Sequence, residues 1–300
     1  MPDVKKLFIA AGHDGLRIYS ADGRTWQGEQ LGKEGETYRC VAFGGGRCVA
    51  AGIFGGKNIF AATSDGQTWQ PSSNDAGYIR YVQGLAYGNG RFLVPTGEAV
   101  TVGAARFAVL SSENGVDWTR SAEEPRSRSV LRRIVQGRVG ESDIFVGVGD
   151  RGRRASSADG ITWVNDETAK PPDTLIDVAF GAGLFVGVGM HGLRMTSADG
   201  KTWGEREVGE EGEHLNSVLW TGERFVAIGL GATYFSDDGR KWVRRSNEFP
   251  PLAAAYGDGL FVGVRWKGLL LHSSDALVWR EAHRASRHVE AVAFGPLSGT

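Results

Sequence analysis

One seven-residue motif occurs seven times in this chain, and such a sequence is confined to repeat architectures. Its first copy reads Ser20-Ala21-Asp22-Gly23-Arg24-Thr25-Trp26. The copies end on Trp26, Trp69, Trp118, Trp163, Trp203, Trp242 and Trp279. Four residues before each stands Asp22, Asp65, Asn114, Asp159, Asp199, Asp238 or Asp275. Three before stands a glycine, except for Ala276 in the last copy, and six before stands a serine or Thr63. This is the chemistry of a tight turn. Ser and Asp side chains hydrogen-bond nearby backbone groups, and Gly enters the left-handed region without steric cost. Trp then covers the turn with a large apolar surface. The motif acids therefore read as structural rather than catalytic or metal-binding.

A second regularity lies between the turns. Leu175-Ile176-Asp177-Val178-Ala179-Phe180 is followed by Gly181-Ala182-Gly183 and then by Leu184-Phe185-Val186-Gly187-Val188-Gly189. Two apolar runs around a Gly-rich triplet read as a β-hairpin. A third strand leads into the Ser-Asp-Gly turn, and a fourth carries the Trp. Successive motif tryptophans stand 37–49 residues apart, the size of a four-stranded propeller blade. Innermost strands fall near Val41, Leu85, Ile134, Val178, Val218, Ala254 and Val292. Second strands fall near Phe8, Val49, Phe92, Phe145, Phe185, Phe225 and Phe261. The chain thus begins on a second strand and ends on a first, His288 to Phe294. The sequence predicts an all-β, seven-bladed β-propeller in a single domain, residues 1–300, with four antiparallel strands per blade. Residues 1–31 and 286–296 together form one blade in this reading, so the C-terminal strand closes the ring and hides its edges.

The motif resembles the Asp-box, or BNR, repeat of sialidase-like propellers, whose usual form is Ser-x-Asp-x-Gly-x-Thr-Trp. Here one residue fewer separates Asp from Gly, as in Ser197-Ala198-Asp199-Gly200-Lys201-Thr202-Trp203. The resemblance runs over nearly the whole chain and implies the fold. It implies little about activity, because that repeat occurs in glycosidases, lyases, lectins and assembly factors alike. Sialidases are six-bladed, and no residues here match their arginine triad or Tyr–Glu pair, so their activity is not carried over. WD-repeat propellers match less well, since no Gly-His…Trp-Asp pairing recurs.

Composition narrows the partners. Lys and Arg total 34 against 35 Asp and Glu, whereas a nucleic-acid binder needs a clear cationic excess. Glycine, 45 of 300 residues, is about twice its usual ~7% and shows no collagen period. Cys40 and Cys48 flank the turn Gly44-Gly45-Gly46, diagonal in a hairpin, and are expected to be reduced and buried. No apolar run approaches the roughly 20 residues of a membrane span. Met1 to Phe8 contains no signal-peptide core, so the expected compartment is the cytoplasm unless residues precede this sequence. The expectation is a monomer with no cofactor.

In a propeller with this strand order, the inter-blade loops share one face with the loops from second to third strands. The Ser-Asp-Gly turns lie opposite. Ligands enter the loop-rich face or the central channel. Repeat-breaking residues there are Arg39, Arg80, Arg132, Arg151 and His191, with Trp266 and Lys267. They either solvate a rim or bind a ligand with anionic groups, which the Arg fork suits geometrically. Arg126, Arg128, Arg132, Arg133 and Arg138 lie close together without an acid, and Glu205, Glu207, Glu210, Glu211 and Glu213 crowd another segment. That distribution predicts a ring polarised across its diameter. Trp266, between Arg265 and Lys267, has no repeat role. It is read either as a platform that stacks on a flat ligand or as a plug between the last and first blades.

His13 and His288 are expected in one blade, and His191 and His214 in neighbouring blades. No His-x-His or His-Glu-x-x-His spacing occurs, so no metal is expected. Two functions remain. One is a non-catalytic scaffold that recognises a protein or glycan on the loop-rich face. The other is a carbohydrate-active enzyme, a glycosidase or polysaccharide lyase, at the channel mouth. A glycosidase needs two carboxylates about 5–10 Å apart. Asp14, Asp150, Asp173 and Glu290 are the candidates.

Overall fold

Each Ser-Asp-Gly turn joins the third strand of a blade to its fourth. A computed structural model describes residues 5–72, 81–82, 84–101, 104–121, 124–127, 130–166, 168–170 and 172–298. In the fifth blade, strands Leu175–Gly181, Leu184–Gly189, Arg194–Ser197 and Gly204–Glu207 pair antiparallel in chain order. Among the described residues six of the seven sheets have four strands, five of them in this chain order and the first closed by the C-terminal strand. In the third blade the inner strand is split into Tyr81–Val82 and Ala86–Gly88, and Glu124–Ser127 adds to the outer hairpin strand. The fold is a seven-bladed, all-β propeller. Strand Val289–Leu297 pairs with Lys5–Gly12, bringing Phe294 opposite Phe8 with ring centroids 4.5 Å apart. The seven inner strands touch one another in a closed circle, the last meeting both the seventh and the second blade.

The turns repeat one hydrogen-bond set. Asp199 Oδ1 accepts the backbone N–H of Lys201 at 2.8 Å and of Thr202 at 2.7 Å, and the Ser197 hydroxyl at 3.0 Å. Asn114 accepts the N–H groups of Val116 and Asp117 at 2.8 Å each without a charge. The motif glycines take φ between 68° and 81°, and Ala276 follows them at 59°. Each Trp stands just before the fourth strand rather than inside it, because its ring folds back over the turn. Trp163 Nε1 donates to the Gly160 carbonyl at 3.0 Å, and strand Val164–Asn165 begins after it. Burial, the largest single influence on the Asp199 carboxyl, pushes its pKa up. The N–H groups of Thr202 and Lys201, with the Ser197 and Thr202 hydroxyls, outweigh it and hold the value at about 2.

Two devices lock neighbouring blades. An inner-strand glycine in one blade receives an inner-strand aromatic from the next. A Cβ on Gly44 would lie 1.9 Å from the Tyr87 ring, and one on Gly257 2.1 Å from the Phe294 ring. No side chain larger than hydrogen fits there, which accounts for part of the glycine excess. The second device is cationic. Arg17, Arg154 and Arg194, each three residues before a turn serine, lie over Trp69, Trp203 and Trp242 of the following blades.

The cysteines differ from their expected placement. Cys40 pairs with Ala51 while Cys48 pairs with Phe43. This odd offset puts the two thiols on opposite sheet faces, in separate core clusters. Both are free, and burial pushes the Cys40 thiol up to about 12.

Candidate functional site

The inner strands begin at the mouth of the channel, and there five of them skip one residue in register. The skips fall between Tyr38 and Cys40, Leu131 and Arg133, Leu175 and Asp177, Leu215 and Ser217, and Val289 and Ala291. The extra residues are Arg39, Arg132, Ile176, Asn216 and Glu290. A β-bulge sets two residues against one and re-aims a side chain. Four of these residues line one cleft of about 220 Å³, together with Arg133, Leu252, Ala253, Val264, Trp266, His288 and Val289. The lining comes from blades one, two, four, five and seven, so the cleft spans the ring at its channel mouth. Asn216 lines an adjoining, more apolar depression with Met190, His214, Leu230 and Pro251, and Ile176 and Leu252 border both.

The three cleft arginines differ in what holds them. Arg132 Nε donates to Asp150 Oδ1 at 2.5 Å. Arg133 Nε lies 3.7 Å from Asp177 Oδ1, and its Nη1 donates to the Arg132 carbonyl at 3.2 Å. Burial pushes the Asp177 carboxyl up, against the pull of Arg133 and of the Val218 N–H. Arg39 is half-buried, its Nε is buried without a hydrogen-bond partner, and among the described residues no carboxylate pairs with it. It is the cation in the cleft left to meet an anion.

Trp266 is 64% exposed, which overturns the plug reading. Its indole stacks on His288 at 4.8 Å with the planes 12° apart. Glu290 Oε1 lies 2.8 Å from His13 Nε2 and 3.7 Å from His288 Nε2. Burial holds the His288 pKa below its ordinary value, Glu290 pulls it up, and His13 pushes it down. Glu290 is the sole carboxylate among the described residues that line the cleft.

The fold therefore brings Arg39, Arg132 and Trp266 together. Arg80 lies outside the described residues. Arg151, His191 and Lys267 take left-handed φ of 55°, 58° and 62° at loop apices and do not line the cleft. His191 instead stands beside His214, ring centroids 5.5 Å apart. Strands Arg91–Thr101 and Ala104–Ser112 pair from Phe92 with Ser112 to Thr101 with Ala104.

Three of the four nominated acids are paired with arginines and do not themselves line the cleft. Asp14 pairs with Arg287 at 2.7 Å, Asp150 with Arg132, and Asp173 with Arg206 at 3.0 Å. In the acidic segment Glu205, Glu207, Glu210 and Glu211 are exposed and Glu213 is buried. Glu207 pairs with Arg194, and buried Glu213 accepts from Arg244 at 2.6 Å and from the Tyr234 hydroxyl at 2.5 Å.

No protein-family model matches the chain, and no curated protein matches it. Solved structures match its shape. "YCF48 bound to D1 peptide" superposes with TM-score 0.60 at 19% identity, covering 82% of each chain. YCF48 from Cyanidioschyzon merolae gives 0.58 at 13% identity over 82% of this chain and 84% of that one. A computationally designed protein, Ika8, gives 0.58 at 14% identity over 98% of this chain and 91% of that one. At these identities the likeness is one of fold alone: this chain shares the propeller architecture of the YCF48 structures.

Proposed function

We propose that this propeller is a non-catalytic scaffold that binds a protein segment bearing acidic groups across its channel mouth. The carrying observation is the ring of bulges, which turns Arg39 and Arg132 into a cleft beside an exposed Trp266. A guanidinium without an internal acid binds a carboxylate with little rearrangement. An exposed indole adds a rigid apolar anchor, the residue type on which interface energy concentrates. The peptide recorded with the YCF48 structure supports the reading, since it is bound by a propeller of similar shape. A glycosidase would need a second carboxylate, and the described cleft residues offer Glu290 alone. The seven turns, which we read as a shortened Asp-box, serve as frame.

The test uses two fluorescent decapeptide pools, one rich in Asp and Glu, one rich in Lys. The acidic pool should bind, weaken as salt screens the contact, and lose about tenfold in affinity with Arg39→Ala. Equal retention of both pools, or an unchanged affinity in Arg39→Ala, would refute the reading.

A further inference from the structure

We infer that the first blade carries a binding site for a divalent first-row transition metal, formed by His13, His288 and Glu290. Nothing in the repeat calls for this cluster, and it does not depend on a peptide ligand. One potential ligand atom from each residue lies within 4.8 Å of the other two. The backbone brings them there. His13 directly follows the first strand, Lys5–Gly12, and its N–H donates to the His288 carbonyl at 2.9 Å. Glu290 is the bulged residue of the strand that closes the ring. All three therefore sit where the two ends of the chain are stitched together.

Distances and donor types fit a metal. Ligands held 2.0–2.1 Å from a tetrahedral ion stand about 3.3 Å apart. Glu290 Oε1 is 2.8 Å from one imidazole and 3.7 Å from the other, values on either side of that spacing. Small side-chain rotations close the set. Two imidazoles and one carboxylate suit zinc, cobalt or nickel better than calcium or magnesium, which take all-oxygen shells. The Trp266 ring braces the His288 ring, and the edge of the His13 ring meets it at 4.8 Å. Three protein ligands leave at least one coordination position for water or an incoming donor.

The full chain, stripped with chelator and desalted, is titrated with Zn²⁺ by calorimetry and with Co²⁺ by visible absorption. The expected result is one ion per chain, with a melting temperature that rises as Zn²⁺ is added. His13→Asn and Glu290→Gln should each weaken Zn²⁺ binding by at least about tenfold. His191→Asn, in the other histidine pair, should leave it unchanged. Because the His13 side chain is 44% exposed and Gln matches Glu in shape, both site variants should fold, which circular dichroism checks. Absence of saturable binding in the parent chain, or undiminished binding in both site variants, overturns the site. Neither outcome bears on the peptide pools, whose test turns on Arg39.

Discussion

The two ends of the propeller treat their residues in opposite ways. At the turn end, seven copies of one motif make nearly the same bonds, and even Asn114 and Ala276 adopt the geometry of the residues they replace. At the channel mouth, a backbone device also recurs, but the side chains it presents do not. Five bulges offer Arg39, Arg132, Ile176, Asn216 and Glu290. Repetition at both ends builds the ring, and only the mouth uses it to display different chemistry. The same division separates the arginines. Arg154 and Arg194 are buried over the tryptophans of the next blades, whereas Arg39 is left without an acid.

The largest expected effect comes from breaking the frame where its ends meet. Deleting residues 286–300 removes the strand paired with Lys5–Gly12 and the Phe294 ring that packs on Gly257. An open sheet edge and an open ring should follow. Denaturant unfolding should lose its cooperativity, with a melting temperature far below that of the full chain. A deletion that melts like the parent would show that the ring does not depend on its closing strand. Next comes a single frame tryptophan. Trp118 is 2% exposed and stacks on Phe60 at 3.9 Å. Trp118→Ala should lower stability by about 3–5 kcal/mol, as large core truncations do, measured by chemical denaturation.

Most of the frame is legible in the sequence because its chemistry is local. Ser, Asp, Gly and Trp at fixed spacing act within seven residues, so each copy can be read without knowing what it packs against. The cleft is only partly legible, because bulges re-aim residues that alternation would place otherwise. Arg39, Arg132 and Trp266 stand out as departures from the repeat. Ile176 and Arg133 do not, although a signal exists. Leu131 and Ile134, Leu175 and Val178, Leu215 and Val218, and Val289 and Val292 are three residues apart in strands whose apolar period is two. That extra residue is the bulge. The His13–His288–Glu290 cluster is the least legible, since its members lie at opposite ends of the chain and meet only when the ring closes. Charge runs mislead for a related reason. Glu213 looks solvated in sequence but is buried against Arg244, 31 residues away.

Within the turns single substitutions should act more weakly. Asp199→Ala removes two backbone acceptor bonds and should lower stability by about 1–2 kcal/mol. Asp199→Asn should lose less, because Asn114 shows that an amide oxygen accepts the same bonds. Acid should act on the turns together. Asp22 and Asp199 sit at about 2, below their ordinary 3.8, and Asp65, Asp159, Asp238 and Asp275 are also lowered. A depressed carboxylate stabilises the fold above its unfolded pKa and stops doing so as pH falls through the folded one. Melting temperature should therefore fall between about pH 4 and pH 2. Asp199→Asn should flatten that dependence. Loss of acidic-peptide binding in a well-folded Asp199→Ala protein would move the turns from frame to site.

The smallest expected change in stability belongs to the other kind of tryptophan. Trp266 is 64% exposed, where Trp118 is 2% exposed. Among the described residues its ring partner is His288, itself at the cleft wall. Removing the indole opens no cavity, because solvent already covers most of it. Trp266→Ala should therefore change stability by about 0.5 kcal/mol or less, the range of ordinary surface substitutions. Affinity should respond in the opposite proportion. An aromatic anchor beside an unpaired guanidinium is the kind of contact on which an interface concentrates its energy, so the acidic pool should bind about tenfold more weakly. The pair Trp118→Ala and Trp266→Ala thus predicts a crossed result: stability without affinity in one, affinity without stability in the other. If Trp266→Ala destabilised the chain as much as Trp118→Ala, the indole would belong to the frame. If it left both quantities untouched, the mouth would bind its partner elsewhere than the cleft.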